Sequence, residues 1–207
     1  MTKLFSGVLL AFLPMTLFAQ GERREWNFEN DRIGSIPKGF TSEMGEWRIV
    51  NDSTAPSGLH VLAQRAKSSR SSFNLCLNED TLYTHLDVSI RIRAVAGKID
   101  QGGGLIWRAK DGKNYYVAWF NPLDNSYQVC VVENGRFVDL QSAAVKDGGD
   151  WRTMAVSVTA DRIECYLDGK KLLDMKGSTF REPGKVGLWT RSDAETYFDN
   201  LVASEKH

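Results

Sequence analysis

Between Gly102 and Val132 the chain gathers the residue types best suited to recognising a polar ligand. Arg108, Tyr115, Trp119 and Asn121 sit on two strand-like runs joined by Asp111-Gly112. An Asp-Gly step between aromatic and β-branched runs predicts a tight hairpin with both central residues at positive φ. Pairing about that turn sets Arg108 opposite Tyr115 and Trp107 opposite Tyr116. One face then carries Leu105, Trp107, Tyr116, Ala118 and Phe120, and suits a core. The other carries Ile106, Arg108, Tyr115, Val117, Trp119 and Asn121. Rings with polar tips beside an arginine and an amide suit a sugar, offering flat apolar surface together with directed hydrogen bonds. Gln128 on the next strand joins this set. Trp189 and Arg191 share parity on a late strand and flank the same groove. The competing reading is that Trp119 and Trp189 fill core and that Arg108 covers apolar surface with its stem.

Other chemistries find less support. A glycosidase needs two carboxyl groups about 5–10 Å apart. Glu195 and Asp199 share a strand face, but four residues of extended chain part them by roughly 13 Å. On the most regular strand only Asp87 faces outward, followed by Ser89 and Arg91. His60, His85 and His207 are isolated, with no H-E-x-x-H pattern for zinc. There is no G-x-S-x-G elbow. Gly102-Gly103-Gly104 opens a strand and lacks the Lys-Ser/Thr of a phosphate loop, so these glycines mark a bulge or a close approach of backbone. Cys76, Cys130 and Cys165 form no C-x-x-C pair. They read as small packing residues inside strands, with one disulfide plus a free thiol as the alternative.

Strands must position these residues. Leu86, Val88, Ile90, Ile92 and Ala94 alternate with Asp87, Ser89, Arg91 and Arg93, the period of a strand with one dry and one wet face. Similar runs cover residues 25–28, 47–50, 59–63, 72–77, 136–140, 151–159, 161–167, 171–175, 185–190 and 196–203. A Gly/Pro loop spans residues 33–40, another loop spans residues 147–150, and residues 78–81 are a polar link suited to a short helical turn. Asn134-Gly135 and Asp168-Gly169 repeat the hairpin signal. About a dozen short strands with turns at regular spacing and no amphipathic helix predict an all-β protein, an antiparallel β-sandwich.

Residues 1–19 have the form of a secretory signal peptide: Lys3, an apolar run from Leu4 to Phe18, and the small residue Ala19. The expected mature chain, residues 20–207, is a single sandwich domain, secreted or periplasmic, with no further stretch able to span a membrane. Lys and Arg total 26, as do Asp and Glu, and the signs are interspersed, so no field gathers nucleic acid.

Gly104-Leu105-Ile106-Trp107-Arg108, Asn114-Tyr115-Tyr116-Val117, Asp161 to Gly169, Gly184 to Thr190 and Phe198-Asp199-Asn200-Leu201 together resemble the concanavalin A-like lectin/glucanase superfamily. Within it they are similar to secreted bacterial domains of the laminin-G-like and 3-keto-disaccharide hydrolase type. The resemblance covers about Trp26 to Ser204. It implies a jelly roll of two curved sheets whose concave face carries a carbohydrate. The Glu-x-Asp-x-x-Glu strand of the jelly-roll glucanases is missing, which counts against ordinary retaining hydrolysis. Relatives also imply a structural calcium between the first and last strands, for which Glu29 or Asp31 together with Asp199 are the candidate oxygen ligands. The leading expectation is an exported module that binds a glycan or small saccharide through Arg108, Tyr115, Trp119, Asn121, Gln128, Trp189 and Arg191. A hydrolase of 3-keto-glycosides, with catalytic residues unassigned, is the first alternative. A non-catalytic adhesion or scaffold domain is the second.

Overall fold

The computed structural model describes residues 22–70, 72–146 and 150–206. The signal-like segment and most of the loop expected at 147–150 lie outside the described residues. Fifteen strands follow in order. They are β1 (Arg23–Trp26), β2 (Phe40–Met44), β3 (Trp47–Asn51), β4 (His60–Gln64), β5 (Phe73–Asn78), β6 (Leu86–Ala96), β7 (Gly103–Asp111) and β8 (Asn114–Asn121). The remainder are β9 (Ser126–Glu133), β10 (Arg136–Ala144), β11 (Arg152–Thr159), β12 (Arg162–Leu167), β13 (Lys170–Lys176), β14 (Lys185–Arg191) and β15 (Glu195–Glu205). One sheet has eight strands, ordered β13-β12-β11-β6-β15-β4-β3 with β1 added to β15. The other has seven, ordered β10-β9-β8-β7-β14-β5-β2. All pairings are antiparallel. No helix of the described residues is long and apolar enough to cross a membrane.

Period-two alternation supplies the core between the sheets. Leu86, Val88, Ile90 and Ile92 of β6 point inward with Met154, Val156 and Val158 of β11 and Ile163, Cys165 and Leu167 of β12. Facing them are Leu105, Trp107, Tyr116, Ala118 and Phe120 of the seven-stranded sheet. Trp107 lies flat on Tyr116, ring centroids 5.5 Å apart at an interplanar angle of 11°. Each such fully buried ring contributes on the order of 1.5–3 kcal/mol. The three cysteines are buried and unpaired in this core and in the outer aromatic cluster.

Three local expectations are corrected. Phe40–Met44 forms a strand, although its run Phe40-Thr41-Ser42-Glu43-Met44 shows little apolar alternation; it pairs with β5 at the sheet edge, where only one neighbour is needed. Residues 78–81 make a turn and not a helical one, because the Asn78 side chain accepts from Asp80 N and ends the strand locally. The Asp111-Gly112 hairpin has a different register. Trp107 does pair with Tyr116, but Asp111 pairs with Asn114, so the turn is centred on Gly112 and Lys113. The Asp111 carboxylate accepts from Lys113 N at 2.7 Å and from Asn114 Nδ2 at 3.0 Å, which holds this turn without positive φ at either Asp111 or Gly112. Two extra residues then lie on β7, and a bulge absorbs them where Arg108 adopts a φ of 48°. Asn134-Gly135 and Asp168-Gly169 do take positive φ at both positions, as a hairpin of that type requires.

Candidate functional site

The outer face of the seven-stranded sheet is aromatic. Tyr115, Val117 and Trp119 of β8, Cys130 and Val132 of β9, Ile106 of β7, Trp189 of β14 and Leu75 and Leu77 of β5 form one buried cluster. Gly104 lies opposite both Trp119 and Trp189, and a Cβ there would stand 1.9 Å from Ala118 O. The bare backbone lets the strands close up and leaves room for the two indoles, which meet edge to face at 5.3 Å.

This face curves strongly. Phe73 belongs to β5 and Phe137 to β10, five strand spacings apart and so about 24 Å on a flat sheet. Their ring centroids are nevertheless 5.1 Å apart. Both also pack on Trp189, at 5.5 and 6.1 Å. The outer face is therefore concave, and the two phenylalanines bridge it from opposite sides.

The bridge decides what a ligand can reach. Tyr115, Trp119 and Trp189 share the predicted face, but their exposures are 0%, 2% and 0%. They are the bed beneath the bridge and not an open floor. The Tyr115 hydroxyl accepts from Trp189 Nε1 at 3.2 Å, and burial raises its pKa. Arg108 leaves the face altogether, because the bulge turns its side chain toward the edge of the sandwich. There Nε and Nη2 donate to Thr84 O, Nη2 also to Ala160 O and Nη1 to Phe180 O, at 2.7–2.9 Å. Asn121 is buried as a loop organiser: it donates to Asp100 and Asp124 and accepts from Gln101 N and Leu123 N. Gln128 is half-buried, its amide donating to Ser126 Oγ. Arg191 stays on the face, its guanidinium 6.0 Å from the Trp119 ring centre and 5.6 Å from that of Phe137. Asp100 stands 3.7 Å from its Nε. Of the seven predicted residues, Gln128 and Arg191 are the two left partly open to solvent.

The usable cavity lies on the β2 side of the bridge. It has a volume of about 540 Å³, within the usual range for small-ligand sites. Phe73 and Leu75 give it an apolar base, and Met44, Glu43 and Ser72 form one wall. The β7–β8 turn, Asp111 to Lys113, and Gly135 of the β9–β10 turn form the other. Leu75 is buried, Phe73 half-buried, and Met44 53% exposed, so the apolar surface steps up from the base to the rim. Asp111 is committed to its turn. The carboxylate of Glu43 lies against Gly112, and neither it nor the Lys113 ammonium has an ion-pair partner among the described residues. The cleft thus offers one ring face, one hydroxyl and two unspent charges.

Sequence reasoning missed Glu43, Met44, Phe73 and Lys113. One signal was present: Phe73 is on a recognised strand, and its parity matches Leu75 and Leu77. Its place beside Arg191 depends on the pairing of β5 with β14, which no local pattern announces.

Of the expected calcium ligands, Glu29 and Asp199 flank the same β3–β4 loop, while Asp31 turns to Lys38. Glu29 accepts from Leu59 N and His60 N, Asp31 from Lys38 N, and Asp199 from Ser57 N, Ser57 Oγ and Asn200 N. Among the described residues no group of three His, Cys, Asp or Glu side chains suits a metal ion.

Two curved antiparallel sheets with an aromatic concave face make a jelly-roll β-sandwich. Its fold is similar to carbohydrate binding module CBM66 from Bacillus subtilis, with TM-score 0.68 and 21% identity over 80% of this chain and 95% of that one. It is also similar to the Bacillus licheniformis beta-glucanase, with TM-score 0.59 and 11% identity over 90% and 99%. The exoplasmic/lumenal domain of VIP36, in its Ca2+/Man3GlcNAc-bound form, has TM-score 0.57 and 10% identity over 79% and 84%. No curated protein matches the chain. The chain belongs to the family described as the 3-keto-alpha-glucoside-1,2-lyase-like domain, which matches residues 31–203.

Proposed function

We propose that this chain binds a saccharide in the cleft between β2, β5 and the β7–β8 turn. The observation that carries the reading is the half-buried ring of Phe73 at the base of a cavity of about 540 Å³, with Glu43, Ser72 and Lys113 around it. A pyranose or furanose stacks its C–H face on such a ring and exchanges its hydroxyl–water bonds for bonds to the surrounding polar groups. Likeness of fold to a carbohydrate binding module and to a domain in its Man3GlcNAc-bound form supports the same reading. Export follows as part of the proposal, since the signal-like segment would deliver the module to extracellular or periplasmic glycans.

The family description favours a second reading, in which the ligand is a 3-keto-glycoside and the chain cleaves it. A ketone at C3 acidifies the C2–H bond, so a base next to C2 can take that proton; the C1–C2 double bond forms as the C1–O glycosidic bond breaks, and the departing oxygen leaves as the alcohol after taking up a proton from solvent. Glu43 is the cleft's uncommitted carboxylate and its candidate base. One experiment separates the readings. Purified wild type, Phe73→Ala and Glu43→Gln are titrated with an oligosaccharide array and with a 3-keto-glucoside, following both binding and product release. Phe73→Ala is expected to weaken binding about tenfold, or about 1.4 kcal/mol, and to lower Tm through its lost packing on Phe137 and Trp189. Turnover by wild type and its loss in Glu43→Gln establishes the second reading; binding without turnover leaves the first. Wild-type binding unaffected by Phe73→Ala removes the site.

A further inference from the structure

Resting on the saccharide reading above, we propose that the cleft takes only the end of a saccharide, a terminal sugar or a free disaccharide, and excludes the inner units of a longer chain. A site for inner units needs a groove open at both ends, so that the chain runs in and out. This cleft is crossed at two places.

The first crossing is the aromatic bridge. Phe73 and Phe137 stand 5.1 Å apart between ring centres, at an interplanar angle of 32°. That is the contact distance of two packed rings, so no pyranose passes between them. Nor does a passage open beneath them among the described residues. Both rings rest on Trp189, which is 0% exposed and meets Trp119 at 5.3 Å. Arg191, outside the cleft, backs the bridge with its guanidinium 5.6 Å from the Phe137 ring centre.

The second crossing is Glu43. β2 and β7 are three strand spacings apart, about 14 Å on a flat sheet. Curvature brings the Glu43 side chain onto the β7–β8 turn: a Cβ on Gly112 would lie 3.3 Å from Glu43 Oε2 and 3.5 Å from its Cβ. The turn is braced against moving aside. Gly135 N donates to Lys113 O at 3.0 Å and Asn134 N donates to Asn114 Oδ1 at 2.9 Å, which ties the two hairpin tips together. The space of about 540 Å³ between the crossings is thus a cup, and its size suits one or two sugars. A sugar stacked on Phe73 has the bridge at one edge and the Glu43–Gly112 contact at another. The rest of a chain leaves through the mouth, so a terminal unit is the one that reaches the ring.

Calorimetry on the purified chain compares maltose, maltoheptaose and β-cyclodextrin, and in parallel sophorose, linear β-1,2-glucan and cyclic β-1,2-glucan. Within a linkage, Kd per molecule of the linear sugars is expected to agree within about threefold whatever their length. The cyclic sugar has no end and is expected to bind about tenfold more weakly, or worse. Phe137→Ala removes half of the bridge and none of the cleft lining, and is expected to make affinity rise with chain length. The wild-type series carries the test alone if that variant does not fold. Wild-type affinity that rises about tenfold from the disaccharide to the longest linear sugar, equal binding of linear and cyclic sugars, or a folded Phe137→Ala whose affinity still ignores length overturns the proposal and leaves the saccharide reading in place. Silence of both series removes the saccharide reading and this one with it.

Discussion

Two buried aspartates respond to their surroundings in opposite directions. Burial pushes the Asp52 carboxyl up, but bonds from Thr54 N, Thr54 Oγ1 and Arg93 Nη1 outweigh it, and its pKa ends below the usual value. At Asp199 burial wins over the bonds from Ser57 and Asn200, the nearby charge of Glu29 adds to it, and the pKa ends above the usual value. A depressed carboxyl stabilises the fold above the unfolded value, about 3.9, and that contribution is lost as pH falls through the folded value. A raised carboxyl does the reverse: its contribution is full below about pH 3.9 and is lost as pH rises through the folded value. Thermal melts of Asp52→Asn and Asp199→Asn from pH 3 to pH 8 are therefore expected to diverge from wild type in opposite senses. Asp52→Asn falls behind wild type as pH rises, while Asp199→Asn gains on it; parallel curves would contradict both assignments. Neither environment was legible in the sequence. Ser57 and Asp199 are 142 residues apart, and only the return of the β3–β4 loop onto β15 joins them.

A bulge decides the role of β7. Alternation placed Ile106, Tyr115, Val117 and Trp119 on one face from sequence alone, and the fold keeps them there. Arg108 departs because the Asp111 carboxylate recentres the turn by one residue, a side-chain effect that the Asp-Gly pattern does not display. Once turned outward, the Arg108 guanidinium ties β7 to the β5–β6 link, the β11–β12 turn and the approach to β14. Tyr116 supports the last of these by accepting from Thr179 N at 2.7 Å. Lysine keeps the charge but has one point of donation and cannot reach three separated carbonyls. Arg108→Lys is expected to cost about 2–4 kcal/mol in denaturant unfolding, since a buried unpaired carbonyl costs on the order of 1–3 kcal/mol. A loss below about 0.5 kcal/mol would show that the bonds are dispensable.

On the scale of the whole molecule, turn spacing and strand period foretold a two-sheet sandwich, because each strand's dry face is written in its own residues. Curvature was not written there. The meeting of Phe73 and Phe137 depends on the bend accumulated over five strand spacings, and that bend buries the rings that looked most like a sugar platform. The proposed recognition site therefore lies not at Trp119 but at the rim: Phe73, with Glu43 and Lys113 on elements distant in sequence. Amide hydrogen exchange, with and without the array's strongest-binding saccharide, tests this most directly. Protection is expected at Glu43–Met44, Phe73–Leu75 and Asp111–Lys113. Protection confined to β6, β11 and β15, with none at those three segments, would contradict it.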